Sequence, residues 1–518
     1  MSWLRLSTES ANPFLPRAFN IIMKGVFSMR SSGVLMHITS LPSPGGIGSL
    51  GQEAFEFADF LQASGFSIWQ VLPVGPTGYG ESPYQSDSVF AGNPLLISCR
   101  ALRDEKLLSY SDDEEYTPEN PEKVDYDAVR ANKALLLRRC FAESAGKMKK
   151  ELKAFCDENS WVTDYALFTA LKNHFGGAMF SSWPDKDIIR RKPAAIAKYT
   201  ELLKDDVAFH VFCQYLFRRQ WFELKKYCNA RNILLFGDMP IYVAEDSADT
   251  WTRPDIFQLD RNRIPKRVAG VPPDYFSETG QLWGNPLYRW HRLRRHGYDW
   301  WVKRMKNMAE MYDLVRIDHF IGFANYYSVK HGMPDARKGK WIIGPGKDLF
   351  RVLKKEVPGI RIVAEDLGCV NDRVRDLLKW CGYPGMKVLT FGFDGDESNP
   401  HFPGNYRQNT VAYTGTHDND TVMGWVESAS PQALELAMKT LGFNKPEKAP
   451  EAFISYLLEC PCDTVIIPMQ DILCLGREAR MNYPGVLGGN WLWRMKPDAL
   501  SLELSIKYNT LNDKAGRR

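Results

Sequence analysis

Eight short apolar runs recur along this 518-residue chain, at 33–41, 68–74, 233–243, 314–323, 360–367, 386–393, 410–416 and 463–473. Runs of this length, rich in β-branched residues and bounded by Gly, Pro and Asp, read as buried strands. Amphipathic stretches with helix signals lie between several of them. Glu53–Ser64 closes at Gly65, Asp348–Glu356 closes near Pro358 and Gly359, and Asp372–Cys381 opens on Asn371 as N-cap. Strand and helix in alternation predict a parallel sheet with right-handed crossovers. Eight strands favour an α/β chain closed as a (β/α)8 TIM barrel over an open doubly wound sheet. Neither G-x-G-x-x-G nor G-x-x-x-x-G-K-[ST] follows a strand, which weakens nucleotide binding.

The spacing of the runs is uneven. The second and third are separated by far more chain than a crossover requires, and 97–230 reads as an inserted, mainly helical subdomain on a barrel spanning 29–518. It carries charged patches such as Asp112–Glu115 and Lys147–Lys153. The connection 244–313 is also long, and its middle, 270–286, is rich in Gly, Pro and aromatics, the composition of a functional active-site loop.

Strand ends are the places to look for chemistry, because a (β/α)8 enzyme builds its site at the C-terminal rim. The third run ends in Asp238, the fourth runs into Arg316, Asp318 and His319, the fifth ends in Glu365 and Asp366, and the seventh leads to Thr416, His417, Asp418 and Asn419. A single Asp in such a place is more often a turn or a helix cap, but four strands deliver carboxylates to one rim. Two carboxylic acids across one scissile bond are what glycoside chemistry requires. Arg316 and Asp318 project to the same side of a strand, so the guanidinium would keep that carboxylate ionised and oriented, as a nucleophile needs. Glu365, after Ala364 and beside Asp366, is placed to keep its proton through desolvation and neighbouring acids, which suits a general acid/base. Asp418 is read as binding sugar hydroxyls and stabilising positive charge on the ring. A zinc-dependent hydrolase is the rival, with His37, His319 and His417 able to meet at the rim. Against it, the nine His include no His-Glu-x-x-His, so no metal or cofactor is expected.

Charge and composition bear on partners and compartment. Lys and Arg total 66 against 62 Asp and Glu, a formal charge of +4, so a nucleic-acid partner is not favoured. No apolar run approaches the roughly 18 residues of a membrane span, and no membrane partner is expected. Aromatics make up 13% of the residues, enough to fill a core or to stack on sugars. The ten Cys, with Cys460-Pro461-Cys462 as the one close pair, read as thiols of a reducing compartment. Residues 1–28 carry Arg5, Arg17 and Lys24 against one acid, Glu9. They read as a transit peptide, with a plastid location, or as sequence upstream of a start at Met29, with a cytoplasmic one.

Several stretches resemble the 4-α-glucanotransferases of the amylomaltase, or disproportionating-enzyme, family, which are relatives of the α-amylases. The likeness runs from Gly33 to Asn490-Trp491 and is carried by the segments Trp69–Gln85, Gly237–Val243, Arg316–His319, Ala364–Gly368 and Thr416–Asn419. It implies a retaining mechanism on α-1,4-glucans and maltooligosaccharides, with Asp318 as nucleophile, Glu365 as acid/base and Asp418 as transition-state stabiliser. It also implies sugar contacts from Asp238, Arg316 and His417. The loop after strand three would cover the donor and acceptor sites through Asp274, Phe276, Gln281 and Trp283, while Tyr79, Ser82 and Asn490 match glucan-binding positions. Tyr79 packing on Pro83 and Trp283 packing under its loop stand as alternatives. The starch-binding modules and additional insertion of the plant cytosolic relatives are absent, and residues 1–28 fall outside the pattern.

Three functions follow as expectations: glucan transfer, amylase-type hydrolysis, or glucan binding without catalysis. Water at about 55 M competes with a millimolar acceptor, so transfer needs roughly 10⁴-fold discrimination, about 6 kcal/mol. The loop 270–286, able to exclude water, favours transfer.

Overall fold

The computed structural model describes residues 30–110, 116–273 and 277–517. Its strands are β1 (Ser31–Leu35), β2 (Ile68–Gln70), β3 (Leu234–Pro240), β4 (Arg267–Val271), β5 (Gln281–Pro286), β6 (Leu314–Asp318), β7 (Asn325–Lys330), β8 (Gly339–Ile343), β9 (Arg361–Ala364), β10 (Gly385–Val388), β11 (Thr410–Tyr413) and β12 (Thr464–Pro468). Eight of them form one parallel sheet in the order β10-β11-β12-β1-β2-β3-β6-β9. Its two outer strands approach each other, with Ala364 N–H donating to Pro384 O at 2.9 Å next to β10. This is a (β/α)8 barrel, and each of its strands lies in one of the eight apolar runs or overlaps it.

The strands are shorter than the runs. The apolar residues after β6 and β10 form short 3-10 helices, Phe320–Phe323 and Leu389–Gly392, and those after β12 form the helical turn Met469–Ile472. A barrel strand leaves the sheet at the rim, yet the chain beyond it stays buried under loops, so apolarity outlasts the strand. Close packing also explains Gly237 in β3, where a Cβ would lie 2.3 Å from the ring of buried Tyr312.

Helices alternate with these strands as the helix signals require. Gln52–Ala63 joins β1 to β2, Lys347–Glu356 precedes β9, and Asp372–Cys381 begins with the Asn371 side chain accepting from Val374 N. Between β2 and β3 lie several helices, the last of which, Lys204–Ala230, packs into the main core through Phe217, Trp221, Leu224 and Cys228. A separate aromatic cluster joins Phe168 and Trp183 of the preceding segment to Trp251, on the short helix Ala248–Thr252 after β3. The charged patch Asp112–Glu115 and residues 1–28 lie outside the described residues.

The loop expected at 270–286 is in large part a sheet. β4 and β5 pair antiparallel, β4 pairs with β7, and β7 pairs with β8, giving a second sheet of order β5-β4-β7-β8. β4 with β5 and β7 with β8 are sequence neighbours, and the pairing of β4 with β7 across some sixty residues joins the two pairs into one sheet, a step no local pattern announces. No helix among the described residues is long and apolar enough to cross a membrane.

Candidate active site

β3 and β6 run side by side, with Asp238 opposite Arg316 and Pro240 opposite Asp318. Because residues two apart on a strand share a face, Arg316 and Asp318 emerge together. The Arg316 guanidinium forks between two acids. Its Nη1 donates to both oxygens of Asp238 at 2.8 and 2.7 Å, and its Nη2 donates to Asp318 Oδ1 at 2.8 Å. These charge-assisted bonds fix the orientation of the Asp318 carboxyl, whose side chain is 29% exposed and faces a cleft. Tyr84 Oη closes the other side of Asp238, donating to Oδ2 at 2.8 Å.

β6 stops at Asp318 because His319 takes a left-handed conformation, φ 51° and ψ 46°. Such a conformation costs a non-glycine residue ~1–3 kcal/mol. In this turn the His319 N–H donates to Glu365 Oε2 at 2.7 Å, while Leu367 N–H donates to Oε1, also at 2.7 Å. Glu365 follows directly on β9 and is 7% exposed. Burial is the largest influence on its carboxyl and raises it to about 8. Arg316 and the two N–H bonds oppose that rise, and Asp318 adds to it. At neutral pH Glu365 therefore holds a proton beside the oriented Asp318. The His319 ring, pushed by burial down to about 4, is neutral and packs edge-on against Trp283 with centroids 4.8 Å apart.

From the end of β11 the third acid is presented by a tight turn. Asn419 Oδ1 accepts from Thr416 N–H at 2.8 Å and from Thr416 Oγ1 at 2.9 Å. Asp418 Oδ1 lies 3.3 Å from His417 Nε2 and accepts from Asn482 Nδ2 at 2.7 Å. His417 stacks on Tyr84 at 5.1 Å with ring planes 15° apart, and Trp491 lies beside both, at 5.9 and 6.0 Å. Two strand ends thus meet through an aromatic stack.

Asp318, Glu365 and Asp418 line one cleft of about 620 Å³. Ser82, Gln281, Trp283, Arg316, His417 and Asn490 line it too. Several are tied down locally. Ser82 Oγ accepts from Tyr84 N–H, Trp283 Nε1 donates to Gln281 Oε1, and Asn490 uses its amide on the loop backbone at Tyr483 N and Val486 O. Asp238, expected to touch sugar, lies behind Arg316. Its side chain has no exposed surface and does not line the cleft, because Arg316 and Tyr84 occupy both of its oxygens. Asp274, Phe276 and the side chain of Tyr79 lie outside the described residues. Among the described residues no group of three or more His, Cys, Asp or Glu side chains could hold a metal ion, His37, His319 and His417 included.

Tyr84, Asn482 and Arg480 join the site only once the chain is folded. Tyr84 stands inside the segment Trp69–Gln85, close to Tyr79 and Ser82. Asn482 and Arg480 lie past the last barrel strand, in a stretch with no periodicity to mark it.

A (β/α)8 barrel that brings three carboxyl groups over one polar, aromatic-edged cleft has the apparatus of an enzyme acting on glycosidic bonds. Comparison with known proteins gives the family. The family model described as 4-alpha-glucanotransferase matches residues 36–501. The chain is 46% identical over 486 residues to a 4-alpha-glucanotransferase of Clostridium butyricum, spanning 93% of this chain and 100% of that one. It is 45% identical over 497 residues to one from Synechocystis sp., spanning 94% and 98%. The solved amylomaltase from Streptococcus agalactiae in complex with acarbose matches with a TM-score of 0.92 at 40% identity, over 94% of this chain and 99% of that one. The chain belongs to the 4-alpha-glucanotransferase family.

Proposed function

We propose that Asp318, Glu365 and Asp418 carry out the glucan transfer of this family on α-1,4-linked chains. Glu365 protonates the glycosidic oxygen as Asp318 attacks C1, which releases the reducing-end fragment and leaves a β-linked glycosyl-enzyme. Glu365, now a carboxylate, takes the proton of the acceptor's 4-hydroxyl as that oxygen attacks C1 and restores the α-configuration. Asp418 stabilises positive charge developing on the ring, and Arg316 and His417 bind sugar hydroxyls. Asp238 acts from behind, by holding Arg316.

The observation that carries the assignment is the unequal setting of two acids in one cleft. Asp318 is ion-paired with Arg316 at 2.8 Å. Glu365 is buried and keeps its proton up to about 8. A retaining reaction needs one carboxyl in each of these conditions. Trp283 and Gln281 on β5, Ser82, and the loop braced by Asn490 form the glucan-binding walls, and Tyr79, Asp274 and Phe276 are assigned to glucan binding from the family resemblance alone. The chain's near-balanced charge suits an uncharged polysaccharide partner.

Incubation with maltotriose alone tests the reading. Glucose together with maltopentaose and longer chains is the expected outcome. Glucose and maltose without longer products would mean amylase-type hydrolysis instead.

A further inference from the structure

Asp418 sits on a turn beyond β11 with its side chain 43% exposed, which leaves an isolated carboxylate free to change rotamer. The segment 477–483 takes that freedom away. Asn482 Nδ2 donates to Asp418 Oδ1 at 2.7 Å, and Arg480 Nη2 donates to the Asp418 carbonyl at 2.7 Å. Arg480 Nε also donates to Asn482 O at 2.8 Å, so one guanidinium ties the two residues to each other through their backbones. Behind it, Arg480 lies 3.8 Å from Asp420, which Arg477 holds at 2.9 Å, and its guanidinium covers the Tyr483 ring at 4.1 Å. The catalytic turn and the cleft loop are thereby joined at one point.

We propose that Asn482 is a positioning residue for glucan transfer, which holds Asp418 in its reactive rotamer, and that Arg480 fixes Asn482 for that task. With Oδ1 occupied by Asn482, the second carboxylate oxygen remains for the substrate. A neutral donor is required here, since an acid would repel Asp418, and a cation would compete with the ring charge that Asp418 stabilises. Asn482 also opens the loop that runs through Tyr483 to Asn490 and lines the cleft. This inference rests on the transition-state role given to Asp418 above.

Three variants test it: Asn482→Ala, the isosteric Asn482→Asp, and Asp418→Asn as the reference. A charge-assisted hydrogen bond lost from the transition state is expected to lower kcat about 10- to 100-fold in Asn482→Ala, with KM for maltotriose changed less than about threefold. Asn482→Asp gives the readout that a structural role would not move. At pH 7 the new carboxyl repels Asp418, but a protonated Asp at 482 donates as Asn does, so the Asn482→Asp to Asn482→Ala activity ratio rises as pH falls from 7 to 5. The charged or titratable groups facing this contact are His417 and Arg480, with Asp420 and Arg477 behind, and all are common to both variants. An Asn482→Ala kcat within twofold of the parent, with Asp418→Asn inactive, overturns the inference and leaves Asp418 in place; so does a pH-independent ratio. An active Asp418→Asn instead overturns the role of Asp418 itself.

Discussion

Glu365 is the residue whose chemistry depends most on its surroundings. Its carboxyl rises to about 8 through burial, so the acid that must donate a proton is loaded at neutral pH. Activity on maltotriose should therefore fall as pH rises through about 8, whereas glycosylation by α-maltosyl fluoride, whose leaving group needs no protonation, should not show that limb. The same shift acts on stability. An unfolded Glu releases its proton near 4.5 and the native one near 8, so this group's contribution is intact below 4.5 and is lost as pH rises toward 8. Glu365→Gln lacks that loss. Its melting temperature relative to the parent should climb between pH 5 and pH 8 and level off above, and a pH-independent difference would contradict the assignment. The three acids were legible in the sequence because each lies where an apolar strand gives way to polar residues. The burial of Asp238 behind Arg316 was not, because neither Tyr84 nor the fork of Arg316 is visible until β2, β3 and β6 lie together.

Among the elements, the barrel strands were readable and the second sheet was not. Buried parallel strands are continuous apolar runs and announce themselves. β5, Gln-Leu-Trp-Gly-Asn-Pro, has no β-branched residue and reads as loop; it is a strand only because β4, and through it β7, supplies the pairing. The strands end before their apolar runs do for a related reason, since burial continues past the rim in residues such as Phe320–Phe323. Packing between elements gives a direct test at β3. Gly237→Ala puts a methyl into the Tyr312 ring and should cost about 1–3 kcal/mol, read as a lower denaturation midpoint at unchanged m-value. An unchanged midpoint would mean that the ring moves aside freely.

At the scale of the whole molecule, the aromatic surplus serves the interior as well as the cleft. Trp69, Trp183, Trp221, Trp251 and Trp301 are fully buried, whereas Trp283 and Trp491 line the cleft. Composition alone could not divide these two uses. The end of the barrel away from the site is drawn together by Arg517, fully buried, which donates to the carbonyls of Ser31, Leu458, Cys460, Cys462 and Asp463. Arg517→Ala strands these acceptors and should lower stability by about 3 kcal/mol or more in equilibrium unfolding, while Arg517→Lys, lacking the planar fork, should recover only part. The central claim is that Asp318 forms the covalent intermediate and Glu365 releases it. Glu365→Gln treated with α-maltotriosyl fluoride isolates that step, because the fluoride leaves unaided while the acceptor goes unactivated. Peptide mass spectrometry should then find one maltotriosyl group on Asp318; a label on any other residue, or none while fluoride is still released, would contradict the account.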